Sequence, residues 1–387
     1  MNLIRASMDY SELGKFFVVL GHLFRQHFPH SAYHISTHRF AAIGRSMAEV
    51  REKTEAIVKR TEELVSGMNP YFRIPLDCRS TAMNFSRDDN DYEALMDIMN
   101  NMILKAKSSP QPALMICDEA VIVDRERKKC IYHILKRELN SDSKQFQVWY
   151  QPIYSISDRR FTYMEALARL RGTELGDISP QEFVQVAESY SLIERLGNVV
   201  FEKVCKFIAE NRAIVGAVSV NFSANQMTNP DLVQDVLSML ERFNLKPENI
   251  VMEITEIIFI DNYDLVCCQM TQLSQLGVKF YLDDFGTGYS NLANVVALPF
   301  STIKIDRSLV MMMEESERGV SLFTNLISTF KGADLNVLVE GVETANQNGF
   351  MENVGVNYIQ GFLYSRPLEP SACVELLKKD NGSFVER

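Results

Sequence analysis

The C-terminal two-thirds of the chain predicts an α/β protein built around a parallel barrel. Seven short apolar runs follow one another there, each ends in a carboxylate, an amide or a lysine, and most are separated by helix-length stretches. Apolar, β-branched runs that alternate with helices are typical of a parallel sheet, and closure into a barrel brings the carboxyl ends of the strands to one face. The runs are Phe161–Glu165, Val218–Asn221, Ile250–Glu253, Val278–Asp284, Thr302–Lys304, Val337–Glu340 and Tyr358–Gln360.

The barrel is predicted to open with one antiparallel strand. Two extended runs, Gln147–Tyr154 and Arg160–Leu167, are separated only by Ser155–Arg159. So short a connection allows an antiparallel pair but not a parallel crossover. Repeated strand–helix units should follow, with helices predicted over Pro180–Ile193, Val199–Asn211, Pro230–Phe243, Asp264–Leu276, Glu315–Lys331 and Pro370–Lys378.

A smaller domain is predicted before the barrel. The amphipathic stretch Glu119–Leu139 indicates a connecting helix that ends near a polar segment at 140–144. We therefore predict a first domain over 1–117, a linker over 118–144 and the barrel domain over 145–387. The chain of 387 residues exceeds one ordinary domain, and its 46% apolar content is enough for a sizeable core.

The composition of the chain argues against a membrane-spanning protein, a disulfide-rich protein and a protein that binds long nucleic acid. No apolar run approaches the length needed to cross a bilayer, so we expect a soluble, cytoplasmic fragment without a membrane segment. Seven cysteines without a C-x-x-C pair argue against a disulfide framework and a structural zinc site. The net charge of −10 disfavours long nucleic acid as a partner, but allows a small phosphorylated ligand held by local cations and metals.

The chemistry available to the barrel is that of carboxylates, amides and lysine. All six histidines precede it, which excludes Ser-His-Asp and Cys-His catalysis and histidine-ligated zinc there. Gathered at one face, the acidic and amide strand ends would form an all-oxygen cluster that repels itself unless cations occupy it. This ligand set is the one expected for Mg²⁺ or Mn²⁺ acting on phosphate esters. Its members are Glu165, Asn221, Glu253, Asp283, Asp284 and Glu340.

Eight ordered motifs between Phe146 and Pro370 resemble the signature of EAL-domain phosphodiesterases. The resemblance implies a modified TIM barrel with one antiparallel strand that hydrolyses cyclic di-GMP to linear 5′-pGpG in bacterial signalling. The motifs are Gln151-Pro152-Ile153, Glu165-Ala166-Leu167 with Arg169, Asn221-Phe222-Ser223, Glu253-Ile254-Thr255-Glu256, Asp283-Asp284-Phe285-Gly286-Thr287-Gly288, Lys304-Ile305-Asp306, Glu340-Gly341-Val342-Glu343 and Gln360-Gly361-Phe362.

The same resemblance implies a role for each site residue. Two ions would share the carboxylate of Asp283, with Glu165, Asn221 and Glu253 completing one shell and Asp284 and Glu340 serving the other. Lys304 is carried over as the residue that orients or deprotonates the attacking water, and Glu340 is grouped with it as catalytic. Substrate contacts are predicted for Gln151, Arg169 and Gln360, and Glu256 is predicted to anchor the loop Asp284–Asn291.

Several of these residues have a purely structural interpretation. A single strand-end glutamate is usually solvated or paired with a lysine. Lys304 could be an ordinary ion-pair partner of Asp283 or Asp284, and Arg169 could pair with Glu174. Glu343 is interpreted as capping or charging the start of a helix from Thr344.

The N-terminal region resembles a degenerate, truncated GGDEF domain over Tyr10–Cys117. Ala32–Ile43 matches the hairpin of that family, with Ser36–Phe40 at the five signature positions. The signature glycines and acid are replaced there, which predicts no cyclase activity. A closing helix and strand are expected at Asp91–Lys107 and Ala113–Cys117.

Three functions compete on this basis. The first is a metal-dependent cyclic di-GMP phosphodiesterase, the second a non-catalytic cyclic di-GMP receptor or regulatory module, and the third a bifunctional cyclase and phosphodiesterase. A homodimer through the barrel is also expected from the family resemblance. The N-terminal domain would either bias that pairing or act as a passive spacer.

Overall fold

A computed structural model describes residues 10–36, 39–68, 80–83, 114–117, 119–141, 144–255, 263–287 and 297–379, with residue 295 and isolated positions between 96 and 106. The chain divides into two compact units, Met1–Lys129 and Cys130–Arg387. The division falls within a helix, α3 (Glu119–Glu138), at the predicted connecting segment. Among the described helices, none combines the length and apolarity needed to cross a membrane.

Where its residues are described, the first unit includes two long helices, an antiparallel hairpin, a short parallel pair of strands and the start of α3. The hairpin pairs Ala32 with Ala42 and His34 with Phe40, in agreement with the predicted hairpin, and the Phe40 ring stacks on His34 at 4.8 Å. The predicted helix at 91–107 lies largely outside the described residues. The elements are α1 (Tyr10–His27), β1 (Ala32–Ser36), β2 (Arg39–Ala42), α2 (Met47–Met68), β3 (Ser80–Ala82) and β4 (Leu114–Ile116).

Eight strands of the second unit close into a barrel. The neighbours around it are β5, β6, β8, β9, β10, β11, β12 and β13, and β13 pairs again with β5. Strand β5 runs antiparallel to both of its neighbours and the other pairs are parallel, so the predicted antiparallel opening strand is confirmed. The strands are β5 (Phe146–Ser155), β6 (Arg160–Thr173), β7 (Gly176–Ile178), β8 (Ala217–Asn221), β9 (Ile250–Thr255), β10 (Lys279–Phe285), β11 (Phe300–Ile305), β12 (Asn336–Glu340) and β13 (Tyr358–Gln360).

Several predicted helices have different bounds in the structure, and the helix predicted over Val199–Asn211 is observed as Ile193–Glu210. The helix from Pro180 ends at Ser189, because Ser191 adopts a left-handed φ of 56° that an α-helix does not tolerate. The helix predicted from Glu315 begins at Glu317, where the Ser316 side chain caps it by accepting from the Gly319 amide. The helices are α4 (Pro180–Ser189), α5 (Ile193–Glu210), α6 (Ala224–Met227), α7 (Leu232–Arg242), α8 (Tyr263–Leu276), α9 (Arg307–Glu315), α10 (Glu317–Gly332), α11 (Ala345–Val354) and α12 (Pro370–Lys378).

The outer face of the barrel forms the main core. Along β5, Val148 and Tyr150 are buried on the helix side, and the Tyr150 ring stacks on Phe207 of α5 at 3.9 Å. The C-terminal half of α3 belongs to the same core, since Ile131 and Leu135 are completely buried in it. The C-terminal half of the connecting helix is therefore part of the hydrophobic core of the second unit.

The barrel interior is layered, because residues two apart on a strand face the same side. An apolar layer of Ile153, Val251, Tyr281 and Leu338 fills the interior. Two residues further along three of these strands, the side chain on the same face is a carboxylate. The successive pairs are Val251 and Glu253, Tyr281 and Asp283, and Leu338 and Glu340. The acidic ends of the strands therefore converge above a closed apolar floor, at the barrel mouth.

Candidate active site

Lys304 lies at the centre of the carboxylates at the barrel mouth. Its Nζ is 2.8 Å from one oxygen of each of Glu253, Asp283 and Glu340, and 3.7 Å from Glu165 Oε1. The side chain is 1% exposed. Burial by itself lowers the pKa of Lys304, but the surrounding carboxylates outweigh burial and hold that pKa well above its usual value. The ammonium is therefore charged, and the ion pair with Asp283 expected on the structural interpretation is present.

The four carboxylates around Lys304 outnumber the single positive charge of its ammonium group. Burial raises the pKa of Glu253, with smaller upward contributions from Glu165 and Asp283 that oppose the lowering by Lys304. Burial also raises the pKa of Glu340 to about 7, against the lowering effect of Lys304. Among the described residues, Glu253 Oε1 is a buried oxygen without a hydrogen-bond partner. A buried anionic oxygen with no donor is a position that a cation would satisfy.

Amide side chains hold the carboxylate of Glu165 in place. Asn221 Nδ2 donates to its Oε1 at 3.1 Å, and Gln360 Nε2 donates to its Oε2 at 2.6 Å and to Gln151 Oε1 at 3.1 Å. Gln151 in turn donates from Nε2 to the Ser365 carbonyl. Because Asn221 uses its nitrogen here, its amide oxygen is the atom it offers as a ligand.

Asp283 and Asp284 contribute oxygens to one site although they are adjacent on β10. Adjacent strand residues normally point to opposite faces, but Asp284 adopts a φ of 54° and Gly286 a φ of 107°, so the alternation ends here. Asp283 Oδ1 also accepts the Asp284 amide at 3.0 Å. Carboxylate oxygens of Asp283, Asp284 and Glu340 lie within 4.8 Å of one another and could hold a metal ion. Oxygen donors of this kind suit Mg²⁺ and Mn²⁺.

The predicted ligands thus meet at one mouth but do not form one uniform cluster. In the described part of the chain, Glu165 and Glu253 do not join the group formed by Asp283, Asp284 and Glu340. They instead accept bonds from amides and from Lys304. The predicted anchor Glu256 and loop residues 288–291 lie outside the described residues.

Arg169 is half-buried on β6, above Glu165. The predicted alternative, an ion pair with Glu174, is wrong, because Glu174 pairs with Arg137 at 2.6 Å. Arg169 Nη1 donates to the Ala168 carbonyl, and burial lowers the pKa of its guanidinium. Within the described residues, no carboxylate lies within salt-bridge distance of it. A partly desolvated guanidinium that forms no ion pair in the described part of the chain, and is attracted by Glu165 from beyond that distance, is suited to an anionic ligand.

Sequence reasoning missed a contact that supports the loop after β12. Glu343 forms an ion pair with Arg307 at 2.7 Å, and the cap of α11 is Thr344, whose side chain accepts from the Gln347 amide. The Arg307 side chain lies against Gly341, where a Cβ would approach it to 2.6 Å at a φ of 71°. The glycine is the local signal for this close approach, which supports the loop that follows Glu340.

Comparison with known proteins identifies the family. The EAL domain model matches residues 134–367. The cyclic di-GMP phosphodiesterase NbdA of Pseudomonas aeruginosa is 30% identical over 79% of this chain and 40% of its own length. The cyclic di-GMP phosphodiesterase PdeR of Escherichia coli is 34% identical over 60% of this chain and 35% of its own length.

Structural comparison agrees with this match. The PaMucR phosphodiesterase in its cyclic di-GMP complex superposes with a TM-score of 0.59 and 30% identity, covering 63% of this chain and 99% of that one. The chain spans less than half the length of the two curated relatives named above. Its matched segment contains the closed barrel and all the strand ends that form the mouth. The chain belongs to the EAL family.

Proposed function

We propose that this chain is a metal-dependent phosphodiesterase that hydrolyses cyclic di-GMP to linear 5′-pGpG. The observation that carries the proposal is the buried excess of carboxylate oxygens at the barrel mouth, including the unpartnered Glu253 Oε1. Family membership and two relatives named as cyclic di-GMP phosphodiesterases supply the substrate class. The phosphate-ester chemistry expected of an oxygen-rich, histidine-free site is consistent with that class.

The proposed cofactor is a pair of Mg²⁺ or Mn²⁺ ions. Asp283, Asp284 and Glu340 would hold one ion, and Glu165, Asn221 and Glu253 would hold the other with Asp283 shared. Bound divalent ions neutralise phosphoryl oxygens and lower the pKa of a coordinated water.

The side chains have separate tasks in this proposal. Lys304 is charged, so it serves as a hydrogen-bond donor that orients water or a phosphoryl oxygen. Glu340, with its pKa near 7, is able to hold or release a proton at neutral pH. The Gln360 amide holds Glu165 and is itself bonded to Gln151, and both glutamines contact the substrate in this proposal. Arg169 contacts a phosphate of the substrate.

The first unit is proposed to be a degenerate GGDEF-like domain over 1–117 that lacks cyclase activity. Its hairpin β1–β2 agrees with the shape expected for that family, and Ser36 and Phe40 stand at the ends of the signature positions. Residues 118–144 would connect it to the barrel domain over 145–387. We further propose a homodimer through the barrel, whose pairing the first unit biases. The cytoplasmic location expected from the sequence stays a prediction.

A product assay separates the competing functions. Purified protein is incubated with cyclic di-GMP and Mg²⁺ or Mn²⁺, and the nucleotides are separated by chromatography. We expect 5′-pGpG to accumulate in wild type. Calorimetric binding without product would instead support a non-catalytic receptor, and production of cyclic di-GMP from GTP would support the bifunctional enzyme.

A further inference from the structure

Strands β5 and β6 continue beyond the barrel and carry a second set of polar side chains above the site. Strand β8 pairs with β6 only as far as Ala166, whereas β5 remains paired with β6 through Leu170. In this extension Trp149 lies opposite Leu167, and Gln147 lies opposite Arg169. Gln147 and Trp149 are half-exposed, and Val148 between them is buried on the opposite face of β5. The half-exposed face continues the face that carries Gln151 and Glu165.

The Trp149 ring is flanked by two guanidinium groups. Arg171 Cζ lies 4.8 Å and Arg169 Cζ 5.9 Å from the ring centroid. Trp149 Nε1 donates to Gln147 Oε1 at 2.9 Å, which restrains the rotation of the ring. Tryptophan offers the strongest cation–π face of the natural side chains, and contacts within about 6 Å of the centroid are attractive.

The two arginines differ in their remaining partners. Arg171 is bonded to Asp177 through Nε at 2.9 Å and Nη2 at 2.8 Å, so its charge is already paired. Arg169 has its bond to the Ala168 carbonyl and its contact with the ring, and no carboxylate within salt-bridge distance in the described chain. The Trp149 ring is therefore a principal side-chain contact that restrains the Arg169 guanidinium. The charge of that guanidinium remains available to an anionic ligand.

We propose that Trp149 is a positioning residue that holds the Arg169 guanidinium above the barrel mouth, ready for a phosphate of the substrate. This inference rests on the proposed function, in which Arg169 binds phosphate. An arginine side chain has many rotamers, and restricting it before binding lowers the entropy lost when the ligand is captured. Trp149 does not itself touch the reacting atoms. Loss of the Trp149 ring should weaken substrate binding, because Arg169 is no longer held in place. The rate at which bound substrate is hydrolysed, kcat, should stay nearly unchanged.

The contact can be tested without any ligand, because Trp149 is the only tryptophan in the chain. Fluorescence and acrylamide quenching are measured for wild type, Arg169→Ala and the control Arg160→Ala, which removes an exposed arginine at the other end of β6. We expect Arg169→Ala to shift the emission and increase quenching, and Arg160→Ala to match wild type. Identical spectra for wild type and Arg169→Ala would overturn the proposed contact.

The functional step is tested by a double-mutant cycle on substrate affinity and turnover. Trp149→Leu should raise the KM for cyclic di-GMP by about 3- to 30-fold, the range of a partly desolvated cation–π contact, and change kcat by less than about twofold. Trp149→Phe keeps an aromatic face and should recover most of the affinity. In the Arg169→Ala background, Trp149→Leu should have no further effect, because the residue it positions is gone.

The outcomes distinguish this inference from the proposed function. If Trp149→Leu raised the KM equally in wild type and in Arg169→Ala, the inference would be overturned, because the ring would then act independently of Arg169. An unchanged KM in Trp149→Leu, with wild type active, would overturn it as well. Absence of turnover and binding in wild type would refute the proposed function and the substrate role together, while the fluorescence experiment would still decide whether Arg169 lies against the ring.

Discussion

Replacing Lys304 by methionine removes the charge that the carboxylate cluster surrounds while keeping most of the side-chain volume. The lost ammonium is 1% exposed and lies 2.8 Å from oxygens of Glu253, Asp283 and Glu340. Removing one partner from a buried ion pair costs about 3–5 kcal/mol, because the remaining charge is left without compensation. At about 2–4 °C per kcal/mol for a domain of this size, the melting temperature in EDTA should fall by roughly 6–20 °C.

The size of this loss should depend on pH. Burial raises the pKa of Glu340 to about 7, although Lys304 lowers it, and without Lys304 that pKa must rise further. A carboxyl group with a raised pKa in the folded state destabilises the fold above that pKa, and the penalty disappears as pH falls below the unfolded value of 4.5. The difference in melting temperature between Lys304→Met and wild type should therefore be larger at pH 8 than at pH 5.

Thermal unfolding followed by circular dichroism measures both effects. The control is Lys279→Met, which removes an exposed lysine of β10 that contacts Tyr163 instead of a carboxylate. Mn²⁺ should raise the melting temperature of Lys304→Met more than that of wild type, because the ion supplies the missing positive charge. A drop of less than about 2 °C in EDTA at pH 8, equivalent to roughly 1 kcal/mol or less, would refute the stabilising role of Lys304.

Three further predictions concern the metal centre and the substrate. Asp283→Asn should reduce 5′-pGpG formation at least about 10²-fold in chromatographic assays, because an amide cannot bridge two cations as a carboxylate does. Near-normal activity of this variant in saturating Mg²⁺ would exclude that role for Asp283. Mn²⁺ affinity measured by calorimetry should fall about tenfold from pH 8 to pH 6, since Glu340, with a pKa of about 7, must lose its proton to bind metal; a flat profile would contradict this. Lys304→Ala should retain cyclic di-GMP binding and lose about 10²-fold in turnover, whereas Arg169→Ala should chiefly weaken binding; calorimetry and kinetics showing the reverse would reject both assignments.

Local patterns predicted where the barrel strands lie, and for some of them also the residue at which the strand ends. The predicted run Val218–Asn221 is observed as Ala217–Asn221, and Tyr358–Gln360 is observed with the same bounds. An apolar run closed by a polar residue is encoded within a few positions, so the sequence shows where such a run lies. Pairing with β5 nevertheless carries β6 beyond the predicted end at Glu165, to Thr173, and the run predicted to end at Lys304 continues to Ile305. Helix boundaries were less predictable, because the left-handed φ at Ser191 is not visible in the pattern of apolar residues.

The candidate residues could be named from the sequence, but their partners could not. Gln360 donates to Glu165 across 195 positions, and Lys304 meets Glu253 across 51. These contacts exist because closure of the barrel brings strand ends together, and no local pattern specifies which oxygen a given donor reaches. The resemblance to the EAL family supplied the roles, while the central position of the Lys304 ammonium emerged from the fold.

The amino-acid sequence was enough to predict the alternation of strands and helices, the antiparallel opening strand and the candidate oxygen ligands. How charge is distributed among those candidates became visible in the folded barrel. Asp284 contributes to the same site as Asp283 because its backbone turns to a positive φ, and Trp149 lies against Arg169 because β5 and β6 remain paired above the barrel. Hydrophobic periodicity is a local property of the chain, whereas electrostatic balance depends on distances between residues far apart in sequence.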